Sequence, residues 1–187
     1  WIVGWDLFCR VIDNYGDIGF CWRLSRQLTT EYGLAVRLWV DDLASLQRIC
    51  SSIDPHQASQ HCCGVQINHW TDPFPDVIPT DVVIEAYGCE LPEKYIQAML
   101  PSRSRSRQPV WINLEYLSAE SWVQEYHGLC SPHPRLPLTK YFFFPGFTAN
   151  TGGLLREKNL LAQRDSMQQN GENWWSQNDF PIPDETE

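Results

Sequence analysis

At 187 residues the chain is long enough for one domain with a sizeable core and too short for two comfortable ones. Hydrophobic residues make up 43% and charged residues 20%, and the net charge of −9 argues against a nucleic-acid backbone or an anionic membrane as main partner. No run approaches the roughly 18 apolar residues of a membrane-spanning helix, and the opening WIVGWDLF lacks the basic flank and cleavage pattern of a signal peptide.

In chain order, residues 5–12 (WDLFCRVI) predict a first strand. Residues 18–32 follow, with Cys21, Leu24, Leu28 and Tyr32 at three- and four-residue spacing and Gly33 as a stop, the pattern of a helix. Residues 35–40 predict a strand and 42–50 a short helix capped by an aspartate. Strands are expected at 64–70 and 81–87, a helix at 92–100, and strands at 110–116 and 141–144. Strands alternating with helical stretches predict an α/β fold: a Rossmann-like three-layer lobe with a largely parallel sheet and helices on both faces. The lobe is expected to span 1–165. Past about Leu161 the pattern fades into QQNGENWWSQNDFPIPDETE, so 166–187 reads as a linker or strap whose Trp174 and Trp175 dock onto something. A start without Met and an end without tail character suggest part of a longer protein.

The seven cysteines are odd in number, irregularly spaced and without a C-x-x-C, which favours a reducing, cytoplasmic setting. His61-Cys62-Cys63 lacks the spacing and second ligand pair of a zinc site, so no metal is expected there. The basic run 102–107 (SRSRSR) reads as a solvated loop in an acidic chain.

Open α/β sheets bind ligands outside the carboxyl ends of their strands. Asp13 and Asp17 lie in the first strand-to-helix loop, around Asn14-Tyr15-Gly16, and Glu85, Glu115 and Pro145-Gly146 lie near later strand ends. Two readings of the aspartates stand. In one, Asp17 is the N-cap of the helix and Asn14-Tyr15-Gly16 a tight turn. In the other, the pair holds and deprotonates something cationic, and the helix N-terminus keeps Asp17 ionised. Gly16-x-x-Gly19 lacks the first glycine of a dinucleotide fingerprint, which counts against an oxidoreductase. Consecutive amides at Thr151-Gly152-Gly153, taken as entering a helix, could bind an anion or form a glycine-permitted turn.

The stretches WDLFCRVIDNYGDIGFCWRL, LWVDDL, VWINLEYLSAESWV, SPHP and FFFPGFTANTGGLLRE, in that order, resemble the protein-arginine rhamnosyltransferases that modify elongation factor P. The resemblance runs through nearly the whole chain. It implies two Rossmann-like lobes facing a cleft, the GT-B arrangement, of which this chain is the N-terminal, acceptor-side half. It further implies transfer of L-rhamnose from dTDP-β-L-rhamnose to an arginine of elongation factor P, with inversion and without metal or cofactor. A C-terminal lobe absent from this chain would make most donor contacts, so the chain alone is expected to be inactive. Carried onto these residues, Asp17 is the general base and Asp13 orients the acceptor arginine. Tyr15 and Glu115 bind the acceptor, and Asn14, Gly16, Gly19, Thr151, Gly152 and Gly153 lie near the donor. The competing class is a non-enzymatic module whose acidic edge docks a basic protein or peptide.

Overall fold

The computed structural model describes residues 3–12, 15–102 and 106–169. They contain eight strands, β1 Gly4–Cys9, β2 Ala35–Val40, β3 Ser59–Cys62, β4 Val65–His69, β5 Val82–Ala86, β6 Val110–Leu114, β7 Cys130–Pro132 and β8 Thr139–Phe143. The helices are α1 Gly16–Tyr32, α2 Leu43–Ile49, α3 Glu93–Ala98, α4 Val123–Tyr126 and α5 Leu160–Gln169. Two compact units divide the chain, Trp1–Leu155 and Arg156–Glu187. The sheet belongs to the first. In the second, α5 has no buried residue and continues past the point where the sequence reading expected the helical pattern to fade. Trp174 and Trp175 lie outside the described residues.

Sheet order is β3-β4-β2-β1-β5-β6-β8-β7. All pairings from β4 to β8 are parallel, and β3 and β7 join antiparallel at the two edges. Numbered among themselves, the six parallel strands run 3-2-1-4-5-6, the doubly wound order in which the chain reverses direction between β1 and β5. The expected mixed α/β class with a mostly parallel sheet is what the chain forms.

Alternation along β1 explains why both faces need cover: Leu7 and Cys9 enter one core cluster and Phe8 the other. The first core packs Leu38, Val40, Ile67 and Ile84 against Ile18, Cys21 and Trp22 of α1 and Leu43 and Leu46 of α2. The second gathers Trp39, Trp70, Phe74, Val83, Trp111 and Leu138 with Tyr95 and Ile96 of α3. Phe8 lies at the centre of its aromatic packing, 4.7 Å from the Tyr95 ring and 5.4 Å from Trp70.

Several element boundaries differ from those expected. β1 ends at Cys9, and the chain then turns so that the Val11 amide donates to Asp41 Oδ1 at 2.9 Å. α1 begins at Gly16, two residues before the first residue of its apolar stripe. Its stop is as read: Gly33 is left-handed at φ 66°, and the Gly33 and Leu34 amides reach back to Thr29 and Leu28 carbonyls. Asp42 caps α2 as expected, accepting from the Ser45 amide at 3.1 Å, and this hydroxyl-and-amide pairing holds its carboxyl below the usual range.

Candidate functional site

The reversal between β1 and β5 opens a crevice at the carboxyl edge of the sheet, and α1 enters the fold from the β1 side of it. Tyr15, not Asp17, is the α1 N-cap, and it makes no capping hydrogen bond through its side chain. The capping reading of Asp17 is therefore corrected. Asp17 sits inside the first turn at 2% exposure. The unpaired amides of that turn give it a positive field. Asp13 and Asn14 lie outside the described residues.

Asp17 stands one turn before Cys21 on α1, and its charge also reaches Tyr87, which follows β5. It is among the charges that push both groups' proton affinity up, behind a Cys9 hydrogen bond and burial for Cys21 and behind burial for Tyr87. Tyr87 holds φ 56°, a conformation that costs a non-glycine residue free energy and concentrates at functional sites. Its ring stacks on Tyr116 at 4.1 Å and 10°, and Phe20 of α1 meets it edge-on at 6.4 Å. Tyr116 is half-exposed and directly follows Glu115. An aromatic wall thus runs from α1 across the ends of β5 and β6.

Glu115 is half-buried, and among the described residues its carboxylate accepts from the Asn113 side-chain amide and pairs with no cation, the alternative that its position left open. Asn113 itself is 1% exposed, and its Oδ1 has no hydrogen-bond partner among the described residues. Tyr15 is accessible, and its hydroxyl accepts from Arg48 Nη1 of α2 at 2.8 Å. Gly16 opens α1, and the Gly19 amide closes the first helical hydrogen bond to the Tyr15 carbonyl at 2.9 Å.

Thr151, Gly152 and Gly153 lie in the loop after β8. That loop is drawn to the post-β6 segment by Glu115 and Ser118 amides bonding Phe143 and Pro145 carbonyls. The loop does not enter a helix at Leu154, since the next helix is α5 at Leu160. Gly152 is required by packing: a Cβ there would lie 2.3 Å from the Phe143 ring. Thr151 Oγ1 donates to the Thr148 carbonyl at 2.8 Å, closing the loop on itself. Gly152 and Gly153 line an apolar hollow of about 170 Å³ with Phe20, Leu24, Leu114 and Phe143.

Asp17, Glu115, Tyr15 and the Gly152-Gly153 loop therefore all lie on loops or a helix start at the carboxyl edge. Sequence reasoning missed Tyr87 and Tyr116, whose only signal was a tyrosine at the end of each of two predicted strands. It also missed Arg48, which reaches Tyr15 from a different element, and a 400 Å³ groove at the same edge lined by Arg10, Trp70, Phe74 and Lys94. Arg10 lies 4.7 Å from the Trp70 ring centre in that groove. Among the described residues no three His, Cys, Asp or Glu side chains converge on a metal position. Nor is any described helix long and apolar enough to cross a membrane.

The fold and site define a doubly wound α/β domain with a buried carboxylate and an aromatic wall at its switch point. The chain belongs to the Elongation-Factor P (EF-P) rhamnosyltransferase EarP family, whose profile matches residues 5–187. It is 56% identical over 168 residues to a protein-arginine rhamnosyltransferase of Pseudomonas putida, covering 90% of this chain and 44% of that protein. The like-named protein of Shewanella oneidensis is 50% identical over 172 residues, with 90% and 43% covered. That of Neisseria meningitidis is 40% identical over 160 residues, with 81% and 38% covered. A solved structure described as the structural basis for EarP-mediated arginine glycosylation of translation elongation factor EF-P aligns with 97% of this chain and 38% of its own, at 32% identity and a TM-score of 0.44. The chain spans less than half the length of these relatives.

Proposed function

We propose that this chain is the acceptor-side half of a cytoplasmic GT-B glycosyltransferase. The complete enzyme moves L-rhamnose from dTDP-β-L-rhamnose to an arginine side chain of elongation factor P, with inversion at the anomeric carbon. Membership of the family and the names of the relatives support rhamnosyl transfer to arginine. The observation that carries the mechanism is Asp17, a buried carboxylate at the switch point beside the Tyr87–Tyr116 wall.

A guanidinium has no free lone pair and a pKa above about 12, so it is a poor nucleophile until a carboxylate orients it and takes a proton. Carboxylates match it through charge-assisted hydrogen bonds. In the proposed step a guanidino nitrogen attacks the anomeric carbon, the carbon–oxygen bond to the diphosphate breaks, and dTDP leaves with the electron pair. Asp17 accepts the proton released at nitrogen. Burial keeps water from competing for that carboxylate. Asp13 orients the acceptor, Tyr15 and Glu115 contact it, and Asn14, Gly16, Gly19 and Thr151 to Gly153 lie toward the donor. Most donor contacts belong to a second lobe outside this chain, and the step uses no metal or cofactor.

In the full-length protein, Asp17→Asn is expected to lower turnover by about 10²–10⁴-fold, the range for loss of a general base. The circular dichroism spectrum should be unchanged. Near-normal turnover in that variant would remove Asp17 from the role.

A further inference from the structure

Away from the crevice, three thiols meet where the end of α2 touches the β3–β4 hairpin. Cys50 is the C-cap of α2, Cys62 ends β3, and Cys63 begins the two-residue turn to Val65. Cys50 Sγ and Cys62 Sγ lie 3.4 Å apart, and Cys62 Sγ lies 3.7 Å from Cys63 Sγ. Ser52 Oγ stands 3.2 Å from Cys50 Sγ and 3.4 Å from Cys62 Sγ. Cys50 and Cys62 are half-buried and Cys63 is exposed, so a small reagent can reach the cluster. None of this takes part in the proposed transfer.

We propose that Cys50 and Cys62 form a thiol modification site that closes to a disulfide under a hydroperoxide. One thiolate attacks the peroxide, the O–O bond breaks, an alcohol or water leaves, and a sulfenic acid remains. The second thiol attacks that sulfur, the S–S bond forms, the S–O bond breaks and water leaves. Two electrons pass from the two thiols to the peroxide.

The partner choice follows from geometry. Adjacent residues hold their Cα atoms about 3.8 Å apart, short of the roughly 4.4 Å at which disulfide spans begin. Cys62 therefore pairs with Cys50 across the fold and not with its neighbour Cys63. The bond ties α2 to the outer hairpin. Arg48 and Ile49, the last residues of α2, reach Tyr15 and the Gly19 position of α1, so the modified element borders the candidate site.

The test is peptide mapping of the reduced, natively folded full-length protein after a few equivalents of hydrogen peroxide and alkylation of remaining thiols. Digestion before Asp54 separates Cys50 from Cys62. The expected product is a cross-linked pair of peptides lighter by two hydrogens, separated again by dithiothreitol. It should persist in Cys63→Ser and disappear in Cys50→Ser. Alkylation of Cys50 and Cys62 as readily as in urea-unfolded protein would overturn the proposal. So would a dithiothreitol-sensitive Cys62–Cys63 bond that survives Cys50→Ser. The wild-type map needs no variant to fold and does not depend on the transfer reaction.

Discussion

Asp6 and Asp17 are both buried carboxylates, and Asp6 sits in a fully partnered structural network, whereas Asp17 is the base of the proposed transfer. Asp6, wholly buried on β1, accepts from both Arg37 Nε and Nη2, the Trp39 indole at 3.1 Å, the Tyr95 hydroxyl and the Thr80 amide at 3.1 Å. Burial works against the Arg37 charge, but the Asp6 carboxylate outweighs it and raises the guanidinium's proton affinity. Such a site is saturated and leaves no acceptor for a substrate. Asp6→Ala removes the carboxylate from the half-buried Arg37 guanidinium and leaves the buried Trp39 and Tyr95 donors without their acceptor, and urea unfolding followed by tryptophan fluorescence should show a loss of about 3–5 kcal/mol. A loss under 1 kcal/mol would mean that the network contributes little. The sequence does not distinguish these two aspartates: each stands beside apolar residues, and only the fold brings Arg37, Trp39 and Tyr95 to one of them.

At the scale of elements, legibility followed hydrophobic period. α1 and the parallel strands carry long apolar patterns and were readable, as were the Gly33 stop and the Asp42 cap. β3 and β7 were not. Ser59–Cys62 and Cys130–Pro132 are short edge strands with mixed polarity, and a neighbour rather than composition makes each a strand. The β3–β4 hairpin turns on Cys63 and Gly64, both at positive φ, and a Cys-Gly pair gives a weaker turn signal than Asn-Gly. α4 is four residues long, too short for a period. The start of α1 was misplaced because the apolar stripe begins at Ile18, whereas the backbone bonds begin at Tyr15. The carboxyl-edge position of Asp17 and Glu115 was legible from the alternation of strands and helices, because right-handed crossovers put the strand-to-helix loops along one edge. The aromatic wall was not, because it joins residues from three separate elements.

For the whole molecule, one consequence of the buried protonated groups can be measured directly. Hydrogen bonding to Cys9 together with burial raises Cys21, and burial raises Cys89, Tyr87 and Tyr95. Unfolded thiols and phenols ionise near about 8.5 and 10. A folded pKa above the unfolded one makes the contribution fully present below the unfolded value and lost as pH rises. Stability should therefore hold to about pH 8 and fall steadily from about pH 9 upward, and a urea midpoint that rises between pH 9 and 11 would contradict this reading. The central claim concerns chemistry, and intact-mass analysis of elongation factor P tests it most directly. Incubated with the full-length protein and dTDP-β-L-rhamnose, elongation factor P should gain one deoxyhexose on a single arginine, and none when that arginine is replaced by lysine. No mass gain with the full-length protein, or a sugar on a different kind of side chain, would contradict the account.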